Sequence, residues 1–173
     1  MHTPSIDDRK HALQTAMQRL GSVDLSLIRM KLADPDEGQG WSEPDLIRIE
    51  REYRRFLALT FAYPDRAIVP DRQVDEFWHQ HILDTRAYAR DSVLVFGAFL
   101  HHFPYFGMSG DEDAARLTEG FDDTARLYRF HFGEPRHSCV TDHTSCNVVD
   151  SSSKCSTCSS CRSKIAGILD VNV

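Results

Sequence analysis

Residues 74–106 read VDEFWHQHILDTRAYARDSVLVFGAFLHHFPYF, and the spacing of their apolar side chains decides the fold class. Val74, Phe77, Trp78, His81, Thr85 and Tyr88 recur at intervals of three and four, which puts them on one face of a helix. No strand-like alternation competes. The pattern predicts one helix from about Asp71 to Arg90 and a second segment running to about His102. Gly97 is expected to be a point of close packing.

Helical signals continue on both sides. Ser5 with Asp8 resembles a capping box, followed by Ile6, Leu13, Ala16, Met17 and Leu20 at helical spacing and a stop at Gly21. Val23 to Ala33 predicts a short helix carrying Leu25, Ile28 and Leu32, and DPDEGQG (34–40) a loop. Ser42 is the next N-cap, with Pro44 in the first turn. Leu46, Ile49, Tyr53, Phe56, Leu57 and Thr60 form the inner stripe of that helix. Its outer face, Arg48, Glu50, Arg51, Glu52, Arg54 and Arg55, reads as a solvated mixture of signs. Ser109 with Glu112 starts a last helix that turns Leu117, Phe121, Thr124, Leu127, Tyr128 and His131 inward, and Gly133 and Pro135 end it. The expected class is all-α, a compact bundle of about five to six helices over residues 5–134.

The central stretch also holds four of the chain's nine histidines: His79, His81, His101 and His102. On a helix the two rings of His79-x-His81 point roughly 160–200° apart, so they cannot share one ion while the helix stays regular. The wheel turns His81 into the core, where each ring nitrogen needs a partner, with Thr85 and Tyr88 at hand. His79 lies at the boundary one turn after Asp75. His101, His102 and His131 are the imidazoles that folding can bring toward this helix. Neutral imidazoles with a carboxylate from Asp75 or Asp84 suit zinc or ferrous iron. The candidate bundle site is therefore Asp75, His79, His81 and His102, with Trp78, Tyr88, His101 and His131 around it. The alternative is a set of hydrogen-bonded core and surface histidines without metal, since neither an HExxH nor a Glu-x-x-His motif is present.

Val74-Asp75, Trp78-His79-x-His81, Tyr88-x-x-Asp91, Gly97 and His102 together resemble the glycine-rich-domain-containing-protein-like domain of plants and bacteria. Weaker similarity runs back through Tyr53-x-x-Phe56 and forward to 124–133, covering roughly residues 40–134. The resemblance implies a helical domain with Asp75, Trp78, His79, His81 and His102 as signature positions. It supplies no reaction. Ser92 stands where that family usually has a cysteine, and the RNA-binding-like and glycine-rich regions of plant members are missing, so no nucleic-acid function transfers.

The chain of 173 residues carries a net charge of −6, which argues against a nucleic-acid partner held through phosphate neutralisation. No apolar run is long enough for a membrane span, and Met1 to Lys10 lacks the apolar segment of a secretory signal; the expectation is cytoplasmic. All five cysteines, Cys139, Cys146, Cys155, Cys158 and Cys161, fall in a stretch 138–161 in which 16 of 24 residues are Ser, Thr or Cys. Such a sequence buries little, so residues 135–173 read as a disordered Cys/Ser-rich tail. Its thiols are open to three readings. Cys155, Cys158 and Cys161, with Cys146 or His143 as a fourth, can bind a soft ion such as zinc. The many hydroxyls instead suit the core of a modified peptide, with a modifying enzyme as partner. The third reading is a solvated appendage.

Three functions follow: a cytoplasmic metal-binding helical protein, an interaction module that contacts a partner protein, and an enzyme using His79 or His102 as general base in a pocket lined by Trp78 and Tyr105.

Overall fold

The computed structural model describes residues 4–135. Among these are six helices and no strand: α1 (Ile6–Leu20), α2 (Ser26–Ala33), α3 (Glu43–Ala62), α4 (Arg72–Leu83), α5 (Thr85–Phe96) and α6 (Asp111–Phe132). The thiol-rich segment, with His137, His143 and the candidate ligands Cys146, Cys155, Cys158 and Cys161, lies outside the described residues, as do all three readings of it.

The helix starts follow local chemistry. Ser5 and Asp8 form the reciprocal capping box of α1, and the Ser42 hydroxyl accepts from the Asp45 amide at the head of α3. The last helix differs from expectation. Its N-cap is Gly110, at φ 103°, with no side-chain cap bond, and the Asp113 carboxylate instead accepts from the amides of Gly107 and Ser109. Three acids in the first turn of α6 meet the positive end of its dipole.

α3 is the hub. It packs against α1, α2 and α4, while α4 also contacts α2 and α5, and α1 also contacts α5. Leu46, Ile49, Tyr53, Phe56 and Leu57 are buried as the stripe requires. Its outer face is less wet than charge alone suggests. Glu52 is only 2% exposed, ion-paired with Arg51 and Arg55 and accepting the Tyr128 hydroxyl of α6. Arg54 reaches back to the carbonyls of Leu20 and Val23 and pairs with Glu50 at 2.6 Å, so it satisfies the end of α1. A charged helix face can thus be a seam between helices when each charge finds a partner. On α1, Ile6 is exposed and Arg9 takes an inner position, its guanidinium on the Ala62 carbonyl and Asp65.

The long helix expected over 71–90 is broken at Asp84. That residue leaves the helical region (φ −80°, ψ 73°), and its carboxylate caps α5 by accepting from the Ala87 amide. The break shifts the phase, which is why Thr85 is exposed while Val74, Phe77, Trp78, His81 and Tyr88 remain buried. Helix α5 stops at Phe96, and residues 97–110 form a loop rather than continuing helix to His102.

Gly97 is not a packing point either. Its φ is +76°, and a β-carbon there would meet nothing within 4 Å, so glycine serves as the left-handed C-cap that turns the chain into the loop. Gly97→Ala is therefore expected to cost about 1 kcal/mol, from backbone conformation alone, readable as a small loss of urea midpoint with unchanged slope. Close packing belongs to Gly120 in α6, where a β-carbon would lie 2.8 Å from the Val69 side chain and 3.2 Å from the Ala67 carbonyl. One turn later, the Thr124 hydroxyl accepts from the Val69 amide. These contacts hold α6 to the 63–71 connector.

Candidate metal centre

The histidines of the central stretch separate into two systems on opposite sides of α4. His81 is 3% exposed, and the side chain of His79 is 49% exposed. The helical geometry that forbids a shared ion for H-x-H holds here.

The inner system is made of Tyr53, His81 and Asp91. His81 Nδ1 lies 3.0 Å from the Tyr53 hydroxyl, and Nε2 lies 3.3 Å from Asp91 Oδ2. A carboxylate can only accept, so Nε2 carries the proton and Nδ1 accepts from Tyr53. Burial pushes the Tyr53 phenol well up, which keeps that donor protonated. Arg90 braces Asp91 from the solvent side at 2.8 Å. His81 therefore finds both partners in the protein, and neither is Thr85 or a second histidine. Tyr88 touches it edge-on, ring centroids 5.1 Å apart, without bonding either nitrogen. Beside the ring is a void of about 10 Å³ lined by Leu20, Leu25, Val95 and Ser92 among others. That is room for one water at most. No substrate can reach His81, and no cation is needed to satisfy it.

Burial lowers the His81 pKa from the usual 6.5, with Asp91 opposing, and burial aided by Lys10 lowers that of His131, whose Nε2 meets the Tyr63 hydroxyl at 2.6 Å. The sign follows from proton linkage. Between the lowered folded values and 6.5 the unfolded chain binds more protons, so stability is full above about pH 6.5 and falls as pH drops through the folded values. Urea midpoints measured in the presence of a chelator are expected to be lower at pH 5.5 than at pH 7.5.

The outer system is made of Asp75, His79 and His102. Asp75 is on the first turn of α4, His79 is one turn later, and His102 arrives from the loop after α5. His102 Nε2 is 3.2 Å from Asp75 Oδ1, and His79 Nδ1 is 3.8 Å from Asp75 Oδ2. The two imidazoles meet edge-on with centroids 4.7 Å apart. One ligand atom from each residue falls within 4.8 Å of the others. A tetrahedral ion with bonds of about 2.0–2.1 Å separates its ligands by about 3.3 Å, so the three atoms need only draw in slightly. Exposure is graded: the side chain of His102 is 16% exposed, Asp75 34% and His79 49%, so His102 is the inner member of the cluster and His79 the outer one.

The loop that delivers His102 is fastened by two aromatic residues. Trp78 Nε1 donates to the Tyr88 hydroxyl at 2.9 Å, and that hydroxyl donates to the Leu100 carbonyl at 2.6 Å, two residues before His102. The Trp78 ring also backs the His102 ring, edge-on at 4.4 Å. Trp78 and Tyr88 thus set where His102 stands.

Of the sequence-derived candidates, Asp75, His79 and His102 come together. His81 does not join them, being held on the core side of α4, and His101 is exposed against Phe99 at 5.0 Å. His131, on α6, is paired with Tyr63 at the C-terminal end of α3. Tyr105 is exposed, its ring on Phe103. Sequence reasoning missed Tyr53 as a partner of His81. The available signal was its place on the inner stripe of α3, where a buried hydroxyl needs a bond.

No curated protein and no solved structure matches the chain. A family model described as UCP032817-like matches residues 28–124, more than half of the chain and a span holding both histidine systems with Trp78 and Tyr88. The chain belongs to the UCP032817-like family.

Proposed function

We propose that this protein binds one divalent transition-metal ion, zinc or ferrous iron, through Asp75, His79 and His102, and that its work is metal handling or an accessory task beside a biosynthetic enzyme. The observation that carries this reading is the convergence of two imidazoles and one carboxylate, from a helix and a distant loop, within 4.8 Å. Two nitrogens and one oxygen suit zinc and iron better than calcium or magnesium, which prefer all-oxygen shells. Asp75, Trp78, His79 and His102 also carry the resemblance to the glycine-rich-domain-containing-protein-like domain, which we keep as part of the proposal. So is a cytoplasmic location, where the thiols of the C-terminal segment stay reduced and can bind a second, softer ion. Among the described residues no helix is long and apolar enough to cross a membrane.

Elemental analysis of protein purified without an affinity tag tests the reading. About one equivalent of zinc or iron that disappears in an Asp75→Ala/His79→Ala/His102→Ala variant is expected. Less than about a tenth of an equivalent, not restored by added metal, defeats it.

The fastening of the loop gives a further expected outcome. Tyr88→Phe removes the hydroxyl that ties Trp78 to the Leu100 carbonyl and so holds the His102 loop, and losing such a supporting bond weakens metal binding about 10–100-fold. Competition with a chromophoric chelator measures it.

A non-catalytic interaction module is the second reading. Phe99, Phe103, Tyr105 and Met108 are all exposed on the loop that carries His102, an uncommon density of apolar surface for one short segment.

A further inference from the structure

Resting on the metal site just proposed, we infer that its ion keeps an exchangeable position that takes a small monoanionic oxygen or nitrogen donor from solution. Zinc and ferrous iron need at least four donors, whereas the cluster supplies three, and no further His, Cys, Asp or Glu of the described residues joins it. Closed structural zinc sites have four protein ligands; three with one vacancy is the arrangement of sites that exchange a ligand.

The vacancy has a direction. The inner side of the cluster is taken by Trp78, itself 7% exposed, packed edge-on against the His102 ring. The outer side is open, with the His79 side chain 49% and that of Asp75 34% exposed. The missing donor therefore approaches from solvent, past His79, rather than through the bundle.

Charge selects the kind of donor. A dication with one carboxylate and two neutral imidazoles keeps a net charge of about +1. A monoanion neutralises it; a second cation or an apolar group gains nothing there. Arg72 and Glu76, on the same turn of α4, pair with each other at 2.9 Å and leave the local balance unchanged. Binding is simple substitution, in which an anionic oxygen or nitrogen displaces a metal-bound water with no change in oxidation state.

The test uses full-length protein loaded with one equivalent of cobalt(II), whose visible bands report its ligands, titrated with acetate and with azide as probes. A saturable shift of those bands with a single binding site is expected, lost in His79→Ala and retained when Cys146, Cys155, Cys158 and Cys161 are all replaced by serine. Cobalt that binds at the cluster but has bands indifferent to both anions overturns the inference and leaves the metal site standing. A strong thiolate-to-cobalt charge-transfer band in a spectrum that anions do not change also overturns it, since a cysteine then fills the position. Failure of cobalt to bind, or binding unaffected by removal of Asp75, His79 and His102, defeats the metal site itself.

Discussion

His81→Ala is expected to destabilise the fold by about 3 kcal/mol and to leave unchanged the metal binding proposed for Asp75, His79 and His102. The substitution removes a ring that is 3% exposed and fully bonded, so three costs arise together. A cavity opens beside a void that holds one water at most. The Tyr53 hydroxyl, on a fully buried residue, loses its acceptor. Asp91, 4% exposed, loses its inner partner. Arg90 still holds Asp91 from outside at 2.8 Å, so no charge is left unpaired and the total of about 3 kcal/mol comes from the cavity and the two lost hydrogen bonds. For a domain of this size that is a fall in Tm on the order of 10 °C, which calorimetry resolves easily. A His81→Ala protein with wild-type stability and lost metal would reverse the roles assigned to the two histidine systems.

His102→Ala should do the opposite. Its ring is the inner member of the outer cluster, the inner ligand in the proposed metal site, and it joins the loop after α5 to α4 through Asp75 at 3.2 Å. Without it His79 and Asp75 remain, one helical turn apart, with a contact of 3.8 Å and wide exposure to water. Two solvent-facing ligands hold an ion weakly, so affinity is expected to fall by more than about 100-fold, or about 2.8 kcal/mol at 1.4 kcal/mol per tenfold. The fold loses less, because the ring has no partner in the apolar core other than Trp78, and Trp78 keeps its bond to Tyr88. Circular dichroism of the chelator-treated variant should match the parent while titration with zinc separates them.

The two substitutions show where sequence is informative about this molecule and where it stops. Periodicity alone turns His81 inward and His79 outward, because the side-chain direction on a helix depends on local geometry. The same geometry makes Asp75 and His79 neighbours. It also locates the capped starts of α1 and α3. What periodicity cannot contain is contact across the fold. The partners of His81 come from α3 and α5, and the third member of the outer cluster comes from a loop 27 residues after Asp75. A wheel drawn through Asp84 fails because a short carboxylate there caps a new helix, which puts Thr85 out of phase. Glu52 and Arg54 illustrate a similar limit. Their charges mark them as surface, yet Tyr128 and Arg55 give Glu52 reason to be buried, and the carbonyls at the end of α1 draw Arg54 into a half-buried position. Gly97, expected to be a packing point, is a left-handed C-cap, and close packing belongs to Gly120, since a glycine's purpose depends on φ and on what stands opposite it.

The most direct test of the division between a metal site and a core histidine is the imidazole nitrogen spectrum of uniformly labelled protein, recorded by NMR before and after one equivalent of zinc. The ring nitrogens of His79 and His102 should shift, with Nδ1 of His79 and Nε2 of His102 moving most, while those of His81 and His131 stay where they were. Movement of the His81 signals with those of His79 unaltered, or no imidazole response to zinc at all, would contradict it.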